Sequence, residues 1–233
     1  TARSRGLGDV YKRQTNDIQD NAIIDEDLKK ILDSFPRSAH PMGILSSLTS
    51  ALIAFNPEKK ISLSNNDKNK SEIFLYNTIV KLLAKIPILV SWVHRRRKGL
   101  SLDYGDFRNG YVENITRMMF QLPNQTYVQN NVVVNAMNKL LILHADHEQN
   151  CSTSTVRIVG SSEASLFASV SAGISALWGR LHGGANQAVI EMLEAIKNDN
   201  GDIKKYMIKA KDKSDPFRFC LLYTSPSPRD LAV

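Results

Sequence analysis

Apolar residues in this chain recur mostly at intervals of three and four, the period that predicts helices. Ile23, Ile24, Leu28, Ile31 and Leu32 follow Asp20–Asn21 at that spacing, and Pro36 stops the element. Pro41 sits where a first helical turn accepts proline, ahead of Met42, Ile44, Leu45, Leu48 and Leu52. Asn56–Pro57 closes that helix, and the polar stretch 62–72 reads as an exposed loop. Residues 72–94 are apolar with helical period, and Pro87 predicts a kink or break. Residues 104–109 read as a connection, and 111–121 and 127–147 as two more helices around Leu122-Pro123-Asn124. Only Tyr127–Val134 alternates for five residues or more, and it stays open between strand and helix. No fixed-period repeat appears, and the fold class expected is all-α.

Within residues 161–178, Ala164, Ala168, Ala172 and Ala176 line one helical face, with Ser165, Ser169 and Gly173 as the neighbouring row. Small side chains let a second helix approach closely. That predicts either a tightly packed core helix or a helix at a subunit interface.

Composition changes this picture little, and the chain ends change it more. The 233 residues are 42% hydrophobic and 23% charged, which suits a folded protein. The longest uncharged apolar run, Ile86–Val93, has eight residues, against about 20 for a spanning helix, so no membrane segment is expected. The first fourteen residues, TARSRGLGDVYKRQ, and the last fourteen, CLLYTSPSPRDLAV, are related as DNA. One allowed coding of the first, reverse-complemented and read one base out of frame, yields CLLYTSPSPRDLA and the start of a Val codon. Such complementarity resembles a sequencing adapter ligated to both ends of a DNA fragment. Residues 1–14 and 220–233 are therefore expected to be adapter-derived rather than native. Removing the net +3 of residues 1–14 and the net 0 of 220–233 from the chain's +7 leaves +4 for residues 15–219. That weakens any charge argument for nucleic acid. Cys151 is then the one native cysteine, which excludes a disulfide framework.

Three of the five histidines stand in segments that call for chemistry. His144 and His147, in LILHADHEQNCSTST, share a helical face beside Asp146 and Glu148. Imidazole and carboxylate can hold a metal, but HEQNC lacks the second histidine of HExxH, so a hydrogen-bonded structural or substrate-binding pair is favoured. The hydroxyls that follow can cap the next helix. His182 precedes Gly183 and Gly184, where an amphipathic helix begins. Glycines there permit unusual backbone angles and close ligand approach. The helix N-terminus disfavours imidazolium, and a neutral imidazole can donate to a carbonyl that becomes an enolate. A histidine cap beside a glycine turn accounts for the same residues equally well. The run His94-Arg95-Arg96-Arg97-Lys98 before Gly99 reads first as a solvated helix C-terminus, with a phosphate or nucleic-acid patch as the other reading.

Four segments together resemble bacterial citrate synthase: AHPMGILSSL (39–48), YVENITRMMF (111–120), the stretch 141–179 beginning LILHADHEQN, and LHGGANQAVIEML (181–193). They stand in the family's order and spacing. The resemblance implies a helical large domain over 15–181 and the start of a small domain over 182–219. It implies condensation of acetyl-CoA with oxaloacetate to give citrate and CoA, with no metal and no cofactor. It places the thioester carbonyl on His182 as catalytic residue and oxaloacetate on His147 and Asn150, with His144 and Gly183 in support. It further implies a cytoplasmic homo-oligomer, dimer or hexamer, in which the small-residue helix packs between subunits, with no membrane or nucleic-acid partner.

Two departures stand out. Arg180 occupies a turn position where the family usually has proline or a small residue. After DPFR the family continues with a Gly-His-Arg motif, and later an aspartate base and carboxylate-clamping arginines, whereas here Phe219 runs into CLLYTS. The chain is therefore expected to be an inactive fragment. The related alternative is a 2-methylcitrate synthase acting on propionyl-CoA, since one methyl group is worth only about 1–3 kcal/mol of discrimination. A non-catalytic helical protein that binds phosphate or nucleic acid leaves both histidine motifs unexplained.

Overall fold

The computed structural model describes residues 12–56, 68–145, 150–180 and 182–212; the elements below are those of these residues. They form helices α1 (12–20), α2 (Asp27–Ser34), α3 (Pro41–Phe55), α4 (Lys68–Lys98), α5 (Tyr111–Phe120) and α6 (Asn131–Ala145). α7 (Cys151–Gly160), α8 (Leu166–Leu177), α9 (Gly184–Asn198) and α10 (Ile203–Lys211) follow, and no strand occurs among the described residues. The all-α expectation holds. Tyr127–Val134 resolves into coil running into α6. Residues 68–72 are helical rather than loop, and Ile23 and Ile24 lie in the turn before α2.

The core forms where the apolar stripes of α2, α3, α4 and α8 meet. Leu28, Leu32, Leu48, Ile88, Trp92 and Phe167 are buried together there. The eight-residue uncharged run understates α4. The 28-residue stretch Ser71–Lys98 contains an 18-residue window of mean hydropathy 1.7, long and apolar enough by length and composition to cross a membrane. Its buried residues instead build the core: Leu82, Ile88, Leu89 and Trp92 all pack inward.

Of the kink or break expected at Pro87, the break does not occur: α4 runs through it. Proline lacks the N–H that would bond the carbonyl four residues earlier, here Leu83. The Tyr111 hydroxyl donates to that carbonyl at 2.8 Å, so a side chain from α5 replaces the missing bond.

Two cations of the basic run turn inward, which corrects the solvated-end reading. Arg95 is 3% exposed and donates to the carbonyls of Met118 and Gln121, each at 2.9 Å, and to that of Ser101. Arg96 donates to the carbonyls of Phe35 at 2.6 Å and Asp33 at 3.2 Å. These guanidinium groups satisfy the orphan carbonyls at the ends of α5 and α2. Arg97 and Lys98 remain exposed.

The small-residue pattern also divides. A helix does not run through 161–178: Glu163 adopts φ 59°, Ser165 stands at the N-cap position of α8, and Ala164 lies outside it. The two faces of α8 then take two neighbours. Toward α3, Ser46 Oγ lies 3.0 Å from Ser171 Oγ and 2.7 Å from Ser175 Oγ, and Ser171 donates to the Ser46 carbonyl at 2.8 Å. Toward α7, a Cβ on Gly173 would lie 2.6 Å from Val156 Cγ2. The close approach inferred from small residues thus occurs within the chain, with α3 and α7.

Candidate functional site

The site begins with that close approach. Because Gly173 has no side chain, α7 settles against α8 and Ser152, in its first turn, donates to the Gly173 carbonyl at 3.0 Å. On the other side of Ser152 Oγ, at 2.9 Å, is Nε2 of His182. One hydroxyl has one proton, so it serves either the carbonyl or the imidazole. If it goes to Gly173, His182 donates through Nε2; if it goes to His182, the neutral ring carries its proton on Nδ1. Ser152 therefore sets which nitrogen of His182 can donate elsewhere.

The turn before His182 is fixed by backbone bonds. The His182 N–H donates to Gly179 O at 2.9 Å, Gly183 N–H to Leu177 O at 2.8 Å, and Gly184 N–H to Gly179 O at 3.2 Å. Gly183 has φ −71°, an ordinary helical value, so unusual backbone angle is not what requires glycine there. Space is: a Cβ on Gly183 would sit 2.0 Å from the Leu177 carbonyl oxygen. Gly184 opens α9, so His182 stands just before a helix N-terminus, as the sequence placed it. Arg180 is exposed within this turn.

The HADH segment is only partly described. His144 is exposed at the end of α6, with Nδ1 2.7 Å from its own helix's Leu140 carbonyl. His147, with Asp146 and Glu148, lies outside the described residues. Asn150 caps α7, its Oδ1 accepting from Thr153 N–H at 3.0 Å. That duty, expected of the following hydroxyls, falls to the asparagine and leaves Ser152 for His182. Among the described residues, no three His, Cys, Asp or Glu side chains stand together as a metal site would require. A surface hollow of about 590 Å³ lies between the α1–α2 turn and residues 104–108 and contains none of these motif residues.

The structure brings His182 and Ser152 together; Ser152 is the partner that the sequence reading missed. Its signal was a hydroxyl in a Ser/Thr-rich helix start, which resembles capping chemistry until the crossing of α7 and α8 is known.

Comparison with known proteins matches the family model "Citrate synthase, C-terminal domain" to residues 9–220. The chain is 46% identical over 205 residues to citrate synthase 1 of Mycobacterium tuberculosis, covering 88% of this chain and 46% of that protein. It is 44% identical over 211 residues to the citrate synthase of Corynebacterium glutamicum, covering 90% of this chain and 47% of that one. It thus spans about half the length of these curated relatives. Citrate synthase from Pyrobaculum aerophilum superposes with TM-score 0.71 at 25% identity, over 89% of this chain and 50% of that one. Citrate synthase from Thermoplasma acidophilum, in a ternary complex with carboxymethyl coenzyme A and oxaloacetate, gives TM-score 0.68 at 20% identity, over 80% and 45% of the two chains. The helical body, the glycine-framed His182 turn and a family match covering most of the residues agree: the chain belongs to the citrate synthase family.

Proposed function

We propose that these residues serve the condensation of acetyl-CoA with oxaloacetate to give citrate and CoA, chemistry that draws on no metal or redox cofactor. The observation that carries this is His182, seated before the α9 N-terminus and bonded to Ser152 at 2.9 Å. A neutral imidazole in that place donates to the thioester carbonyl as the acetyl group becomes an enol, and so stabilises developing charge. The helix N-terminus favours the neutral ring, and with the Ser152 proton directed to Nε2 the ring's own proton stands on Nδ1, free to donate. His147 and Asn150 are assigned to oxaloacetate, with His144 and Gly183 in support. His182 lies where the large domain (15–181) passes into the small one (182–219), and the working protein is a cytoplasmic homo-oligomer, dimer or hexamer. The 233 residues hold no Gly-His-Arg run, and the chain alone is taken to be inactive.

The test is CoA release by the enzyme that carries these residues, with acetyl-CoA and propionyl-CoA compared. Faster turnover of acetyl-CoA is expected, falling by a factor on the order of 100 or more in His182→Ala. Preference for propionyl-CoA moves the reading to 2-methylcitrate formation, and CoA release from neither overturns both. Citrate formation by the 233-residue chain itself overturns its inactivity.

A further inference from the structure

Outside the residues assigned above, one aromatic pair touches the same turn. The His40 imidazole stacks on the Trp178 indole, ring centroids 4.9 Å apart and planes 18° from parallel. Neither ring is free to choose its pose. His40 is the N-cap of α3, and its Nδ1 accepts the Met42 N–H at 3.2 Å. Acceptance at Nδ1 puts the neutral ring's proton on Nε2 and fixes the ring plane against the helix start. Trp178 closes α8, its backbone N–H donating to the Ile174 carbonyl at 3.0 Å. The indole lies across the first turn of α3: a Cβ on Gly43 would stand 3.3 Å from its Cζ3.

Burial does not explain this arrangement, because Trp178 is 47% exposed. Its place in the chain does. Leu177 and Gly179, its immediate neighbours, supply the carbonyls that accept from Gly183, His182 and Gly184. Holding Trp178 therefore holds the frame on which His182 stands. The serine bonds between α3 and α8 set the same two helices in register, and the stack lies three residues beyond Ser175 on α8's side.

We propose that His40 and Trp178 are a positioning pair, which clamps the end of α8 to the start of α3 and so sets the turn that presents the His182 imidazole. This rests on reading His182 as the reacting histidine, but its consequence is geometric and can be read without turnover.

The experiment uses the 233-residue chain with nitrogen-labelled histidine and follows the His182 imidazole resonances, assigned by their loss in His182→Gln. Each of the two placements of the Ser152 proton pairs with one tautomer of His182, so an ordered Ser152–His182 contact is expected to show one unaveraged tautomer pattern. In Trp178→Leu, and in His40→Asn, which keeps an acceptor for Met42 N–H but removes the ring, that pattern is expected to be lost to an averaged one. Trp178→Phe, which keeps a stacking ring, restores it. The control is Phe120→Leu, which removes the edge-on partner of His94 (ring centroids 5.9 Å apart) elsewhere in the fold. An unchanged His182 pattern in both Trp178→Leu and His40→Asn overturns the proposal, as does the same loss in Phe120→Leu. If Trp178→Leu does not fold, His40→Asn alone decides. A preserved clamp together with full condensation activity in His182→Ala sinks the functional reading and leaves the positional one standing.

Discussion

The inner body, α2–α5 with α8, and the outer arms, α6, α9 and α10, are built from similarly apolar helices and meet different fates. In the body, Leu32, Leu48 and Trp92 are fully buried. In the arms, Val132, Ile142 and Ile208 are 70–77% exposed. A hydrophobic stripe becomes core only where another element faces it, and among the described residues the arms meet few such faces. Polar groups divide the same way: in the body, Arg95, Ser46 and Ser171 are buried and bonded, whereas His144 on α6 is exposed. The candidate histidines that the structure describes fall at the seams. His182 lies where the packed end of α8 passes into α9, and His144 where α6 ends.

The largest effect that can break this comparison is in the core. Trp92→Ala should cost about 3–5 kcal/mol in urea unfolding, and Ile142→Ala within about 0.5 kcal/mol. Similar costs at the two sites would erase the distinction between body and arm. At the seam, Gly183→Ala should cost about 1–3 kcal/mol, because its Cβ forces the Leu177 carbonyl aside. The same measurement should find Gly184→Ala milder, since a Cβ there meets nothing nearer than 3.7 Å.

The smallest effect sharpens the account of α4. Tyr111→Phe orphans the Leu83 carbonyl beside Pro87 and should cost about 1 kcal/mol at neutral pH. Burial pushes the Tyr111 hydroxyl from 10.0 up to about 12. A folded-state value raised above the unfolded one means stability present below about pH 10 and lost as pH rises through about 12. Denaturation curves between those values should therefore flatten in Tyr111→Phe, and an unchanged slope would remove Tyr111 from the alkaline limb.

Much of the helical order was legible in the chain. Pro41 opened a helix, Asn56 closed it, and Gly184 began another, because these are local rules of backbone and cap. Boundaries failed where a distant partner intervened. Pro87 reads as a kink or a break until the Tyr111 hydroxyl of another helix donates to the carbonyl that proline leaves unbonded. Arg95 reads as a solvated end until the carbonyls of α5 come within reach. Of the candidate site, the sequence singled out His182 and its helix start, and at Gly183 it offered an unusual backbone angle where the structure has an ordinary one and a lack of room for a Cβ. Ser152 was hidden among hydroxyls that all look like caps.

The sequence by itself determined the helical class, the small-residue rows and the histidine before a helix. Each depends on period, cap preference or backbone volume within a few residues. Only the tertiary structure decided that Gly173 brings α7 close enough for Ser152 to reach His182, and that His40 lies on Trp178. Those contacts join residues 30 and 138 positions apart in the numbering, and a hydrogen bond or a ring stack forms only within a few tenths of an ångström. Helical period sets which face a residue occupies, whereas the crossing of two helices sets what that face touches.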